Sequence, residues 1–350
     1  MTKLFFVVLV LFARLGFAQG QVEAVMAGKA AAGRFSGTGL VAQNGQVLAS
    51  IHKGYANRQF AVPMTDTTRL PIASVTKLFT AILVLQLCEK AQLNLSDTVG
   101  RHLSDLPAAC RAITLLQLLT HCSGLKNEPM QAYSSPYSPA EFVQKFVVRK
   151  EGLPVPVFNY NNVDYILLTR VLEVVSKKSY PELVRENILE PLGMRNSGMI
   201  SEEQIISGLA YGYHNYSFGS GTPNLPLKND PPVYLSNYAG AGAIYSTASD
   251  LLKLVQALKA NKLLARKTTA LLTTPQQKGF VEYARGYPAI GFYCNDKTFP
   301  RPVLERRGSI NGFNAVLLTD KSFSKVVILL ANTDAADLEV VGDQLYANLN

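Results

Sequence analysis

Residues 72–87 read IASVTKLFTAILVLQL: a serine at 74, a lysine at 77, then an almost unbroken apolar run. Leu78, Phe79, Ala81, Ile82, Leu83, Val84, Leu85 and Leu87 leave no polar stripe, so a helix here is expected to be buried on every side. A charged lysine at the mouth of such a helix is costly unless it is paired or gives up its proton. Ser74 and Lys77 are spaced as surface neighbours on a helix, and the positive end of the helix dipole favours an alkoxide or oxyanion at Ser74. The competing reading is a helix-capping serine with Lys77 extended outward to solvent.

The spacing Ser-x-x-Lys occurs four times, at Ser50/Lys53, Ser74/Lys77, Ser123/Lys126 and Ser322/Lys325. Ser50 lies in an expected strand, where i and i+3 point to opposite faces. Ser123 precedes Gly124 in a turn, and Ser322 sits in a polar strand connection. Only Ser74 opens a helix.

The chain has 350 residues, long enough for one large domain or two lobes, with 48% hydrophobic and 17% charged residues. Residues 1–18 read as a signal peptide, with Lys3, an apolar run from Leu4 to Phe12, and Gly16 and Ala18 before the cleavage point. Arg14 is unusual so late in such a segment. The run is far shorter than the roughly 20 residues that span a bilayer, and no later run reaches that length. The chain is therefore expected to be exported, periplasmic or secreted, with no stable membrane anchor. Net charge falls from +9 to +7 when Lys3 and Arg14 leave. The remaining cations cluster only briefly, at Arg149-Lys150, Lys177-Lys178 and Arg306-Arg307, which argues against nucleic acid. Cys88, Cys110, Cys122 and Cys294 could pair in three ways after export, although Cys88 falls within the apolar helix, where a buried thiol is the simpler reading. Nothing in the sequence speaks to oligomeric state.

Residues 21–34 suit a first helix, and SGTGLVAQNGQVLASIHKGYAN at 36–57 reads as two strands around the Asn44-Gly45 turn. Residues 96–198 read as mostly helical, broken at Pro107, Gly124, Pro136, Pro154-Pro156 and Pro191-Gly193, and 212–243 as a long irregular loop. STASDLLKLVQALKA restarts a helix with Ser249 or Asp250 near its cap. Strand patterns return from 279 to 333, before a final helix from about 336. Strands at both ends with helices between suggest a sheet lobe (about 21–70 and 270–350) carrying an inserted helical lobe (about 75–268), in one domain over 19–350.

A serine nucleophile needs a base. FNYNNVDYILLTRVLEVV presents Tyr160 and Asn162 before a helix, although Tyr-x-Asn also occurs at Tyr55, Tyr213, Tyr293 and Tyr346, and Asn162 could simply cap that helix. ERRGSINGFNAVLL supplies a third element, with Gly308 permitting close backbone approach and Ser309 opening an expected strand. Together these stretches resemble the serine β-lactamase and penicillin-binding-protein superfamily, and in particular its class C β-lactamase-related serine hydrolases. The resemblance runs from about Gly37 to Asn332 through ASVTKLFTA, LLQLLTHCSGL, NYNNVDYILLTRVLE, ILEPLGMRNSGM, AGAGAIYSTASDLLKL and GSINGFNAVLL, in family order.

The resemblance implies an α/β (α+β) fold, an antiparallel sheet of about five strands flanked by helices, with the active site between sheet and helical lobe. By motif, Ser74 would be the nucleophile, Lys77 its proton partner and Tyr160 the base, its pKa lowered from near 10 by the lysine. Asn162 would bind substrate amide and Lys77, and the N–H groups of Ser74 and Ser309 would form the oxyanion hole. No Ser-Asp-Asn element is present, which favours the tyrosine variant, and no Gly-x-Ser-x-Gly, which argues against an α/β-hydrolase. The third motif departs from the family, which usually begins it with Lys or His; here it reads Arg306-Arg307-Gly308. Arg306 retains positive charge and would grip a substrate carboxylate, but cannot shuttle a proton; turned outward, it would leave a degenerate site.

His52, His102, His121 and His214 show no ligand spacing, so neither a metal nor a cofactor is expected; His121 reads as a structural residue of the LLTHCSG turn, and Asp97 and Glu190 as surface or capping residues. The GAGA of 240–243 reads as a close backbone approach. Two functions follow. The first is an exported serine hydrolase acting through an acyl-enzyme on a β-lactam, a D-amino-acid peptide of peptidoglycan type, or a related ester or amide. The second is a non-catalytic relative binding cell-wall fragments or a partner protein. The 126–159 and 212–240 segments would shape the pocket.

Overall fold

The computed structural model describes residues 35–152, 156–215, 226–310, 312–335 and 337–349, together with Gly20 and Ala24. The leader expected over 1–18 lies outside the described residues, as does the helix expected over 21–34 apart from Ala24.

The chain opens with a hairpin, β1 (Gly37–Gln43) and β2 (Gln46–Lys53), and returns to the same sheet with β3 (Tyr287–Pro288), β4 (Tyr293–Asn295), β5 (Val303–Ile310), β6 (Phe313–Asp320) and β7 (Lys325–Ala331). The antiparallel sheet runs β3-β4-β5-β6-β7-β1-β2. Five long strands carry it, and the short β3 and β4 widen one edge. Asn44 and Gly45 both take positive φ, 52° and 84°, the conformation a two-residue hairpin turn needs. Between the two strand sets lie α1 (Thr76–Glu89), α2 (Leu115–Leu119), α3 (Pro139–Phe146), α4 (Val163–Ser176), α5 (Ala248–Lys259) and α6 (Arg266–Thr273); α7 (Leu338–Ala347) closes the chain.

Both faces of the sheet are covered, which is why its strands read as continuous apolar runs rather than alternating ones. Along β7, Val326, Ile328 and Leu330 join the core shared with the helical lobe, while Val327, Leu329 and Ala331 join a second core with Val341 and Leu345 of α7. α1 is sheathed as expected: its residues from Thr76 to Leu85, and Leu87, are all buried. Each fully buried Leu, Ile, Val or Phe there contributes about 1.5–3 kcal/mol, an upper bound against a compact unfolded chain.

Two boundaries differ from expectation. α5 is capped by Thr247, whose Oγ1 accepts from the Asp250 N–H at 3.2 Å, rather than by Ser249 or Asp250. The 96–198 region carries more turn than expected, with α2 and α3 only 5 and 8 residues long. All four cysteines are free thiols, Cys88 half-buried and the others buried. No helix among the described residues is long and apolar enough to cross a membrane.

Candidate active site

Ser74 lies in a single 3-10 turn, Ala73–Val75, immediately before α1. The turn is tight: Ala73 takes φ +46°, sparsely populated for a residue with a Cβ and of a kind found at nucleophile turns. Neither this turn nor α1 has a side-chain cap, so Ser74 does not cap the helix. Its Oγ instead accepts from Lys77 Nζ at 3.1 Å and from Tyr160 OH at 2.6 Å.

Lys77 does not extend to solvent. It is fully buried, and its ammonium spends its donors on Ser74 Oγ, on Asn162 Oδ1 at 2.8 Å and on the Ala241 carbonyl at 2.8 Å. The GAGA stretch makes the last contact possible. A Cβ on Gly240 would lie 2.4 Å from Thr169 Oγ1 and 2.6 Å from Thr80 Oγ1, so only glycine lets this backbone sit between α1 and α4. Burial lowers the Lys77 pKa. For Tyr160, burial pushes the phenol up, but Lys77 and then Arg306 pull it down, and the net direction is below its ordinary 10.0.

Asn162 stands at the start of α4 without capping it. Its amide Nδ2 donates to Glu128 Oε1 at 2.9 Å while its Oδ1 holds Lys77. The wall opposite α4 is β5. β4 pairs with β5 only as far as Glu305, so beyond it that edge is open and the nucleophile turn packs there. A Cβ on Gly308 would fall 2.4 Å from the Ile72 carbonyl oxygen and 2.7 Å from the Ser74 nitrogen. The required glycine thus brings the Ser309 backbone beside that of Ser74.

Arg306 turns inward, 2% exposed. Its Nε donates to the Ser74 carbonyl at 2.9 Å, and its guanidinium lies 5.6 Å from the Tyr293 ring. That placement makes it a support beneath the nucleophile turn rather than a fork presented for a bidentate carboxylate grip. A cleft of about 630 Å³ runs from Ser74 past Arg306, Gly308 and Ser309 to Asn314 and Glu339. Ser74, Lys77, Tyr160 and Asn162 thus form one hydrogen-bonded cluster, with Arg306, Gly308 and Ser309 along the adjoining strand. No group of three or more His, Cys, Asp or Glu placed to hold a metal occurs among the described residues.

Two elements beside the site go beyond the sequence reading, which has His121 as a structural residue of its turn and does not single out Glu128. His121, φ +56°, places its ring 4.4 Å from that of Tyr160, and its Nδ1 shares a hydrogen bond with Asp164 Oδ2 at 3.0 Å. Ser123 Oγ donates to Asp164 Oδ1 at 2.5 Å, tying this turn to α4. Burial holds His121 well below, and Asp164 well above, their ordinary values, with Lys77 and Arg306 adding to the effect on His121; both shifts favour an uncharged pair. The available signal is an acid at the second position of a helix whose first turn and a half is otherwise apolar, VDYILL. The second element is Glu128, in the 126–159 segment that the sequence marks only as pocket-shaping loop.

A family model for beta-lactamase matches residues 22–349. The chain belongs to the beta-lactamase family. As a member it is a serine hydrolase of the β-lactamase and penicillin-binding-protein type. It is similar to PbpX of Bacillus subtilis (strain 168), named as a penicillin-binding protein, at 30% identity over 90% of this chain and 75% of the relative. It is also similar to a teichoic acid D-alanine hydrolase of Staphylococcus aureus, at 28% identity over 90% of this chain and 74% of the relative. The crystal structure of FmtA from Staphylococcus aureus superposes with a TM-score of 0.78 at 25% identity, covering 93% of this chain and 86% of that one. The D-amino acid amidase of Ochrobactrum anthropi SV3 shares the fold, with a TM-score of 0.80 at 23% identity over 95% and 97% of the two chains.

Proposed function

We propose that this beta-lactamase-family chain hydrolyses a D-alanyl-type ester or amide through a covalent acyl-enzyme on Ser74. One observation carries the reading: Ser74 Oγ lies 2.6 Å from Tyr160 OH and 3.1 Å from Lys77 Nζ, with the lysine itself fixed by two further oxygens. Lys77 and Arg306 lower the cost of a Tyr160 phenolate, which takes the Ser74 proton as Oγ attacks the carbonyl carbon. The developing oxyanion meets the N–H groups of Ser74 and Ser309; one such donor is typically worth roughly 3 kcal/mol. The proton passes to the departing oxygen or nitrogen as its bond to carbon breaks. Water, deprotonated by the same tyrosine, then hydrolyses the Ser74 ester. The similarity to a teichoic acid D-alanine hydrolase supports a D-alanyl acyl group.

The test is intact mass spectrometry of the protein after exposure to a fluorophosphonate, a penicillin and a D-alanyl ester. A covalent adduct at Ser74 is expected with the fluorophosphonate, and release of D-alanine from the ester. No adduct, or an adduct at Ser123, would overturn the reading. The leader features Lys3, 4–12 and Ala18 further support export, and the mature chain is expected to begin at Gln19 on N-terminal sequencing.

A further inference from the structure

We propose that Glu128 is the recognition group for a substrate ammonium on the carbon next to the scissile carbonyl. This inference rests on the Ser74 acyl-enzyme reading and specifies its substrate: an acyl group with a free α-amine, as in an unmodified D-alanyl ester or amide.

Glu128 reaches the nucleophile through a short chain of contacts. Its Oε1 accepts from Asn162 Nδ2 at 2.9 Å, Asn162 Oδ1 accepts from Lys77 at 2.8 Å, and Lys77 donates to Ser74 Oγ at 3.1 Å. Oε1 also accepts from Tyr133 OH, and the Tyr133 ring stacks on Tyr238 at 4.0 Å. One oxygen of the carboxylate is therefore fixed. The other, Oε2, is shielded from solvent and has no hydrogen-bond partner among the described residues. A buried carboxylate oxygen with no donor is unfavourable by itself and calls for a cationic or donor group from outside the protein.

The rest of the site shows which charge would need such a group. Lys77 and Arg306 are both buried beside Ser74, and none of the donors they spend goes to a carboxylate. An ammonium brought to the carbonyl would meet two cations and be repelled unless a carboxylate stood close by. Glu128 is the acid bonded into that cluster. The opposite preference, for a carboxylate, would have to draw on Arg306, whose Nε is committed to the Ser74 carbonyl, because Arg307 is ion-paired to Glu305 and Glu339.

The experiment compares kcat/KM for a D-alanyl ester, its N-acetyl counterpart and the D-lactyl ester that replaces amine by hydroxyl, in the wild-type protein and in Glu128→Gln. Glutamine keeps an acceptor for Asn162 and Tyr133 and removes only the charge. The wild type is expected to prefer the free amine by roughly 10–100-fold, the scale of one charge-assisted contact, and Glu128→Gln to lose most of that ratio. A wild-type protein that hydrolyses all three esters equally overturns the inference and leaves the acyl-enzyme reading standing. So does a Glu128→Gln protein whose losses are the same on all three, since that marks a support for Asn162 only. Absence of turnover and of Ser74 labelling together would instead remove the underlying reading.

Discussion

Arg306 and Arg307 are adjacent on β5 and point to opposite faces of the sheet, and their surroundings could hardly differ more. Arg306 faces the helical lobe, buried, with its Nε on the Ser74 carbonyl and its Nη2 without a hydrogen-bond partner among the described residues. Arg307 faces α7, where it is paired with Glu305 and Glu339 in a network that also holds Arg285 and Asp343. One guanidinium is kept unneutralised where a phenolate and an oxyanion need it; the other is neutralised by Glu305 and Glu339 farther along the cleft. The alternation of a β-strand is enough to sort two identical residues into a site and a scaffold.

The largest effect expected on the Arg306 face is at Ser74 itself: Ser74→Ala should give no fluorophosphonate adduct and no turnover by mass spectrometry. Next come its proton partners. Tyr160→Phe should lower kcat by roughly 10²–10⁴-fold with the fold intact by circular dichroism, and Lys77→Ala by at least as much. In the wild type, kcat/KM should rise with pH through an apparent pKa below the ordinary 10.0 of tyrosine, because the base must be deprotonated and two cations favour that form. Near-wild-type turnover in Tyr160→Phe would transfer the base to Lys77.

Arg306→Ala should cost roughly 10–100-fold, and equally on neutral and carboxylate-bearing esters, since the side chain supports the nucleophile turn. It should also move the rising limb of the pH profile upward, because one of the two cations that stabilise the phenolate is gone. A loss confined to carboxylate-bearing substrates would restore the carboxylate grip and break the contrast between the two arginines. His121→Phe keeps a ring against Tyr160 but breaks the bond to Asp164; a fall of about tenfold in kcat with KM little changed is expected from the loosened tyrosine. An unchanged kcat would confine the pair to stability.

The smallest catalytic effect belongs to Arg307. Arg307→Ala should leave kcat/KM within about threefold, yet lower Tm by several degrees, since it deprives the buried Glu305 of one partner. A large kcat loss at constant Tm would show that the two faces of β5 are not separate in function.

The sequence carried the sheet and α1 because both are written in apolar periodicity, and it carried Ser74, Lys77, Tyr160, Asn162, Gly308 and Ser309 because their motifs stand in order along the chain. The direction of Arg306 was not legible: strand phase separates 306 from 307, but which of the two faces meets the nucleophile depends on where β4 stops. The partners of His121 and the role of Glu128 are not legible for a related reason. Both residues lie in irregular segments without periodicity, and each becomes informative only when a partner far along the chain, Asp164 or Asn162, is placed beside it. The Thr247 cap was missed by two residues because STASD offers several capping residues in a row.

The order of strands has a consequence in time. Gly37 of β1 pairs with Ala331 of β7, so the sheet is closed by segments made at opposite ends of synthesis. The nucleophile turn and α1 emerge early, but the wall that faces Ser74 is absent until Gly308 has been made. Contacts this distant in sequence close slowly. A nascent or refolding chain can therefore assemble much of its helical lobe while remaining chemically silent, and the competence of Ser74 should appear among the last events of folding, together with the pairing of β1 to β7.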